Sequence, residues 1–187
     1  MRSASLFLGE FLRRPAEVAS MVPSSPWLKR RIVAAASLAD AHVVIELGPG
    51  TGGTTRALLS AMPEASQLLS LELNERFVES LRGIEDERLI PCCASATELE
   101  TQLVEHGLVA ADVILSGIPF SRIDQRQGAA IVDTVNRCLA PGGVFVAYQL
   151  SRRVKRFSEP VFGPAEVAME WRSLPPIRVF RWQKPSV

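Results

Sequence analysis

The sequence predicts an α/β fold: a seven-stranded, mostly parallel sheet covered by helices, preceded by N-terminal helices and closed by a C-terminal antiparallel hairpin. Three observations carry that expectation. From Val43 onward, short apolar runs alternate with amphipathic stretches, the pattern of parallel strands joined by helical crossovers. A glycine-rich turn at 48–53 links the first apolar run to the first amphipathic stretch. Near the end, Pro175-Pro176 separates two extended segments too closely for a crossover, so they must be antiparallel neighbours.

Taken in order, Val43–Leu47 reads as a strand buried on both faces. A helix follows over 54–62, stopped at Pro63. Residues 68–71 form a second strand, and Asn74 caps a helix that ends near Gly83. A short strand at 88–92, a helix at 97–106, a strand at 112–115, a long helix at 124–139 and a strand at 143–150 continue the alternation. The hairpin pairs 166–174 with 177–183. Ahead of the sheet lie a helix at 4–20, a Pro-Ser-Ser-Pro break at 23–26 and a helix at 27–38. Residues 1–40 thus read as a helical extension or lid, and 41–187 as one globular domain.

With 187 residues, 47% of them hydrophobic, the chain can build a single core and is not generally disordered. No stretch reaches the roughly 18 uncharged apolar residues of a spanning helix, and the first ten residues lack a signal-peptide layout. Three cysteines, with Cys92 and Cys93 adjacent, make neither a disulfide framework nor a metal site, so no metal is expected. Both are expected to be buried in a core strand. The implied location is the cytoplasm. Net charge is +1, but it is unevenly spread. Residues 1–35 hold six Lys/Arg against two Asp/Glu, and residues 151–187 eight against three, leaving the middle acidic. Basic ends suit an anionic partner such as lipid headgroups or nucleic acid; solvated surface arginines are the plainer explanation.

The functional signal is Glu46-Leu47-Gly48-Pro49-Gly50-Thr51-Gly52-Gly53, at the end of a strand and the start of a helix. Glycines there permit positive φ and close ligand approach, and the helix start offers unpaired N–H donors. Gly48, Gly50 and Gly53 satisfy the dinucleotide fingerprint. Glu46 to Gly52 also satisfies the acidic-x-Gly-x-Gly-x-Gly pattern, which resembles motif I of class I S-adenosylmethionine methyltransferases. Either nucleoside needs a second acid about 20 residues on, and Glu72 ends the second strand, where it can bond both ribose hydroxyls. Glu46 decides between them. A pyrophosphate would be repelled by a nearby carboxylate, whereas the cationic methionine end of S-adenosylmethionine is attracted. The length also leaves no substrate domain for a dehydrogenase.

The resemblance extends over about residues 40–183 and implies a Rossmann-like class I methyltransferase fold. Within that superfamily the chain is most similar to bacterial phospholipid N-methyltransferases, which methylate phosphatidylethanolamine, and more distantly to rRNA adenine dimethyltransferases. Phe11, Pro15 and Pro23-Ser24-Ser25, then Ser116-Gly117-Ile118-Pro119-Phe120, then Leu174-Pro175-Pro176-Ile177-Arg178-Val179-Phe180-Arg181 carry the lipid resemblance. The RNA enzymes would have Asn at 117, and a C-terminal RNA-binding domain. Where the superfamily often has Gly-Asp-Ala, this sequence has Ala94-Ser95-Ala96. Ser95 is left as the side chain for the adenine edge, and it reads equally well as a helix N-cap.

The implied cofactor set is therefore Glu46, Gly48, Gly50, Thr51, Gly52, Glu72, Leu73, Ser95 and Ala96, with S-adenosylmethionine as methyl donor. Methyl transfer to an amine is an in-line displacement that needs alignment rather than a nucleophilic side chain. Ser116, the Gly117 and Ile118 carbonyls and Pro119 would orient the amine. Phe120 and Tyr148 would cover a methylated ammonium, or else serve as a hydrophobic lid and a strand-end packing residue. His42 and His106 are given no catalytic role. The N-terminal stretch with Leu8, Phe11 and Leu12 on one face, followed by Arg13 and Arg14, suits either a lipid interface or a lid. The acceptor implied is a phospholipid amine such as phosphatidylethanolamine. A small-molecule amine or rRNA adenine is the alternative within the class. A non-catalytic S-adenosylmethionine-binding module is the alternative outside it.

Overall fold

Strand β1, Val43–Leu47, is an interior strand of the sheet, and its side chains from Val44 to Leu47 are buried on both faces. The structure is a computed structural model that describes residues 25–173 and 175–186. The expected helix at 4–20, with Phe11, Arg13, Arg14 and Pro15, lies outside those residues, as does Leu174. Around β1 stand β2 (Gln67–Glu72), β3 (Leu89–Cys93), β4 (Ala111–Ser116), β5 (Leu139–Gln149), β6 (Glu166–Glu170) and β7 (Ile177–Gln183). Their order across the sheet is β3-β2-β1-β4-β5-β7-β6, with β1 to β5 parallel and β7 antiparallel to both neighbours. Strand order reverses between β1 and β4, which opens a crevice beyond their carboxyl ends.

Alternation along each strand sorts the side chains into two layers. Val44, Leu68, Val113 and Val146 face helix α1 (Pro26–Ala36) and helix α2 (Gly53–Leu59) through Leu28, Ile32 and Leu58. Ile45, Leu69, Ile114 and Phe145 face the opposite layer. That layer holds α4 (Leu99–Glu105), α5 (Gln125–Cys138) and α6 (Arg153–Phe162). Helix α3 (Glu75–Arg82) follows β2. Side-chain caps mark three of these six helix starts: the Ser25 side chain accepts from Leu28 N, Asn74 from Arg76 N and Asp124 from Gln127 N.

Four expectations change. Helix α6 was not foreseen: Pro160 masks the helical spacing of Val154, Phe157 and Val161, and the helix forms although Pro160 has no N–H to give to the Arg156 carbonyl. Strand β5 begins at Leu139 rather than 143, with an irregularity in its pairing to β4 that Gly142, at φ 77°, accommodates. Strand β6 stops at Glu170 because that carboxylate turns back to accept from Arg172 N at 2.9 Å. Cys92 is buried as expected, its sulfur 3.3 Å from His106 Nε2, but Cys93 points out of the edge strand and is exposed.

Helix α5 contains a glycine whose reason is purely steric. A Cβ on Gly128 would lie 2.6 to 2.9 Å from three ring atoms of Phe157 on α6. Gly→Ala normally favours an exposed helix interior. Here Gly128→Ala should instead lower stability by about 1–3 kcal/mol, the cost of overpacking. Adding Phe157→Leu should recover part of that loss, as read by urea denaturation.

Candidate functional site

The glycine loop is built by the crowding of three strand ends. Gly48 N donates to Leu71 O at 2.9 Å and Gly117 N to Leu47 O at 2.8 Å, so the loop is bonded to both β2 and β4. Gly48, Gly50 and Gly52 all have positive φ, at 72°, 59° and 79°, a region that side chains with a Cβ rarely enter. Thr51 lies half-buried in the same turn.

Glu72 is held beneath this loop. Its Oε2 accepts from Gly50 N and its Oε1 from Asn74 N, each at 3.0 Å. Burial pushes its pKa up, against the pull of those backbone donors. A carboxylate has about four acceptor positions, so two donors leave room for two hydroxyls. Glu72 lies in a cleft of about 1090 Å³, which Gly48, Leu73, Ser95, Ala96, Gly117, Ile118 and Pro119 also line. Arg122, Ile123 and Gln127 complete the far wall. Those three were not foreseen, because nothing local ties them to the glycine loop.

Ser95 takes the role of a cap. Its Oγ accepts from Thr97 N at 3.3 Å, while Glu98 Oε2 accepts from Ser95 N at 2.7 Å, a complete capping box. It also lies on the cleft wall.

Glu46 does not line the cleft. It is fully buried on the α1/α2 face of the sheet, and its Oε2 accepts from Thr55 Oγ1 at 2.6 Å and Ser70 Oγ at 3.3 Å. Oε1 has no hydrogen-bond partner. Burial raises its pKa to about 7; the two hydroxyls act against that, and the charge of Glu72 adds to it. Ser70 was legible in part, as a polar residue in the apolar run of β2 directly across from Glu46.

Ser116, Phe120 and Tyr148 also stand outside the cleft wall. Ser116 is fully buried, and its Oγ accepts from Ile118 N at 3.3 Å, which shapes the turn after β4. Phe120 is a correction: its ring is wholly inside the core, 5.8 Å from that of Phe157, and has no open face for a ligand cation. The apolar character that suggested a lid drives it inward instead. Tyr148 is partly buried on the α1/α2 face, its hydroxyl 3.4 Å from Thr54 Oγ1. Burial, and secondly the charge of Glu46, push the phenol pKa well up, so it stays protonated. Its oxygen would be 2.7 Å from a Cβ on Gly117, and Gly48 O would be 2.8 Å from the same Cβ.

These features fit S-adenosylmethionine. The glycine backbone leaves space along the loop, Glu72 offers ribose acceptors, and one buried oxygen of Glu46 is left without a hydrogen-bond partner. Among the described residues no cluster of three His, Cys, Asp or Glu side chains could hold a metal ion.

The buried carboxyl gives a pH signature. A carboxyl whose folded pKa exceeds its unfolded value costs nothing below about 4.5, where both states are protonated, and destabilises increasingly as pH rises through about 7. Glu46→Gln removes that cost. Relative to the parent chain, the ligand-free variant should therefore gain stability between about pH 4.5 and 7, approaching about 3 kcal/mol above that range. Urea denaturation across the window reads the difference, and a gap that does not vary with pH contradicts the assignment.

Known proteins resemble the chain at three levels. The family described as ribosomal RNA adenine dimethylase matches residues 24–90. Ornithine lipid N-methyltransferase from Singulisphaera acidiphila is 30% identical over 183 residues, covering 94% of this chain and 93% of that protein. Ribosomal RNA small subunit methyltransferase A from Phenylobacterium zucineum is 41% identical over 59 residues, only 32% of this chain and 20% of that one. Among solved structures, the N-methyltransferase NodS from Bradyrhizobium japonicum superposes with a TM-score of 0.69 at 14% identity, covering 88% of this chain and 99% of that one. The same enzyme with S-adenosyl-L-homocysteine bound gives 0.68 at 15% identity, over 86% and 89%. With a whole-length relative of that identity and this fold, the chain belongs to the class I S-adenosylmethionine-dependent methyltransferases.

Proposed function

We propose that the protein is an N-methyltransferase whose acceptor is the primary amine of a lipid headgroup. One observation carries this reading: the likeness to an ornithine lipid N-methyltransferase runs the length of the chain, whereas the rRNA enzymes match over a third to a half of it. Phosphatidylethanolamine, which the sequence motifs imply, and an ornithine lipid both present a primary alkylamine. The Gly117 contacts support the same reading. An Asn there, as the rRNA enzymes use, would drive its Cβ into Gly48 O and the Tyr148 hydroxyl.

In this reading the backbone of 48–52 and the carboxylate of Glu72 hold the cofactor's nucleoside. Leu73, Ser95 and Ala96 bound the adenine side, and Glu46 balances the positive charge. The bound cofactor supplies an electrophilic methyl on a sulfonium. The acceptor must lose a proton before it attacks. A free alkylamine holds that proton up to about pH 10, but low polarity and a neighbouring cation weaken its hold. The carbonyls of Gly117 and Ile118, at the lip of the cleft, accept the remaining N–H bonds and aim the lone pair. Ser116 keeps that turn in shape through Ile118 N. Tyr148 acts by filling the space beside Gly117 as a neutral hydroxyl.

Such an enzyme works from a membrane surface; we place it in the cytoplasm, peripheral to the inner membrane. No helix among the described residues is long and apolar enough to cross a membrane.

Incubating the protein with methyl-labelled S-adenosylmethionine, vesicles holding either lipid amine, RNA and small amines should put label into methylated lipid. Label confined to RNA or to small amines overturns the lipid assignment. Calorimetry gives a second check. Glu72→Ala should weaken S-adenosylmethionine binding by about 1.5–3 kcal/mol, the range for hydrogen bonds to a charged group.

A further inference from the structure

Beyond the cleft, the carboxyl edge of the sheet carries a rim of aromatic and basic side chains. The guanidinium of Arg30 stands 5.0 Å from the centre of the Trp27 ring, and that of Arg172 stands 4.2 Å from it. Trp27 is 43% exposed, Trp171 next to Arg172 is 73% exposed, and Leu150 just past β5 is 38% exposed. A tryptophan that open to water is uncommon unless it has a partner.

Topology puts these residues on one edge. Strand β6 runs antiparallel to β7 and β7 antiparallel to β5, so β6 ends where β5 ends. Gln149 pairs with Arg178 and Glu170 with Ile177, which places the Trp171–Arg172 turn beyond the carboxyl end of β5. Helix α1 begins at the same edge, because Ser25 Oγ lies 3.2 Å from Ser173 Oγ and Arg31 Nε donates to Glu170 at 2.9 Å. The glycine loop and the cleft open on this edge too.

Resting on the lipid-amine reading, we propose that Trp27, Arg30, Trp171 and Arg172 seat this edge on an anionic lipid bilayer, so that the cleft faces the headgroups. Indoles favour the boundary between headgroup and acyl chain. Arginines stacked on an indole bond lipid phosphates while the ring is buried. Leu150 adds apolar surface at the same level. An RNA would use the rings and arginines but gains nothing from Leu150, and a lipid acceptor has to enter from this edge.

The test uses the full chain with vesicles of phosphatidylcholine alone, or of equimolar phosphatidylcholine and phosphatidylglycerol. Binding should require the anionic lipid and weaken with salt. Trp171→Ser, Arg30→Gln and Arg172→Gln should each reduce vesicle partition, by about fivefold for each arginine. Brominated acyl chains should quench the parent's fluorescence through Trp27 and Trp171 but spare Trp182, which is buried. Trp171→Ser should lose turnover on vesicles yet keep S-adenosylmethionine binding and turnover on detergent-dispersed lipid amine. Vesicle binding indifferent to these substitutions, or substitution-sensitive binding to RNA in place of vesicles, overturns the docking surface. Vesicle binding that the substitutions abolish, with no lipid methylated in either form, supports the surface and refutes the acceptor.

Discussion

The close approach of β1 and β4 at their carboxyl ends is the constraint on which the site depends. The strand order reverses there, so the chain leaving β1 and the chain leaving β4 must pass each other within van der Waals distance. Gly48 and Gly117 are the residues at that crossing, and a Cβ on Gly117 would meet Gly48 O at 2.8 Å. The absence of side chains leaves backbone groups lining the mouth of the cleft. The same crowding brings the Tyr148 hydroxyl to the place a side chain at 117 would occupy.

Two carboxylates flank the loop in different environments, and the difference divides their tasks. Glu72 ends β2 at the carboxyl edge, where backbone donors from Gly50 and Asn74 fix it on the wall of the cleft. Glu46 lies one strand over on the covered face, with two hydroxyls on one oxygen and nothing on the other. An unpartnered buried carboxylate oxygen is costly in the free protein. The raised pKa lets protonation relieve part of that cost.

The terminal hairpin does more than complete the sheet. Because β6 and β7 return to the carboxyl edge, they bring Ser173, Glu170 and Arg172 against the start of α1. Arg181 Nε likewise donates to Ala35 O at 3.2 Å. Segments about 140 residues apart in sequence thereby form one rim at the carboxyl edge of the sheet. The basic character of the two chain ends, evident from composition, is resolved into separate uses. Arg181 and Lys184 bond backbone carbonyls, while Arg30 and Arg172 stack on Trp27.

The linear sequence by itself determined the existence and order of the strands, the glycine loop, the Asn74 cap and the position of Glu72. Each of these depends on periodicity or on neighbours a few residues away. Tertiary structure alone decided which way the remaining site residues face. Phe120 turned into the core because α6, hidden by Pro160, brings Phe157 against it. Tyr148 met Thr54, 94 positions away, and Glu46 turned from the cleft toward Thr55 and Ser70. Trp27 gained Arg172 only through the return of the hairpin. Such pairings are set by how sheet faces and edges are covered, and a strand's own residues carry its alternation but not the identity of what packs against each face.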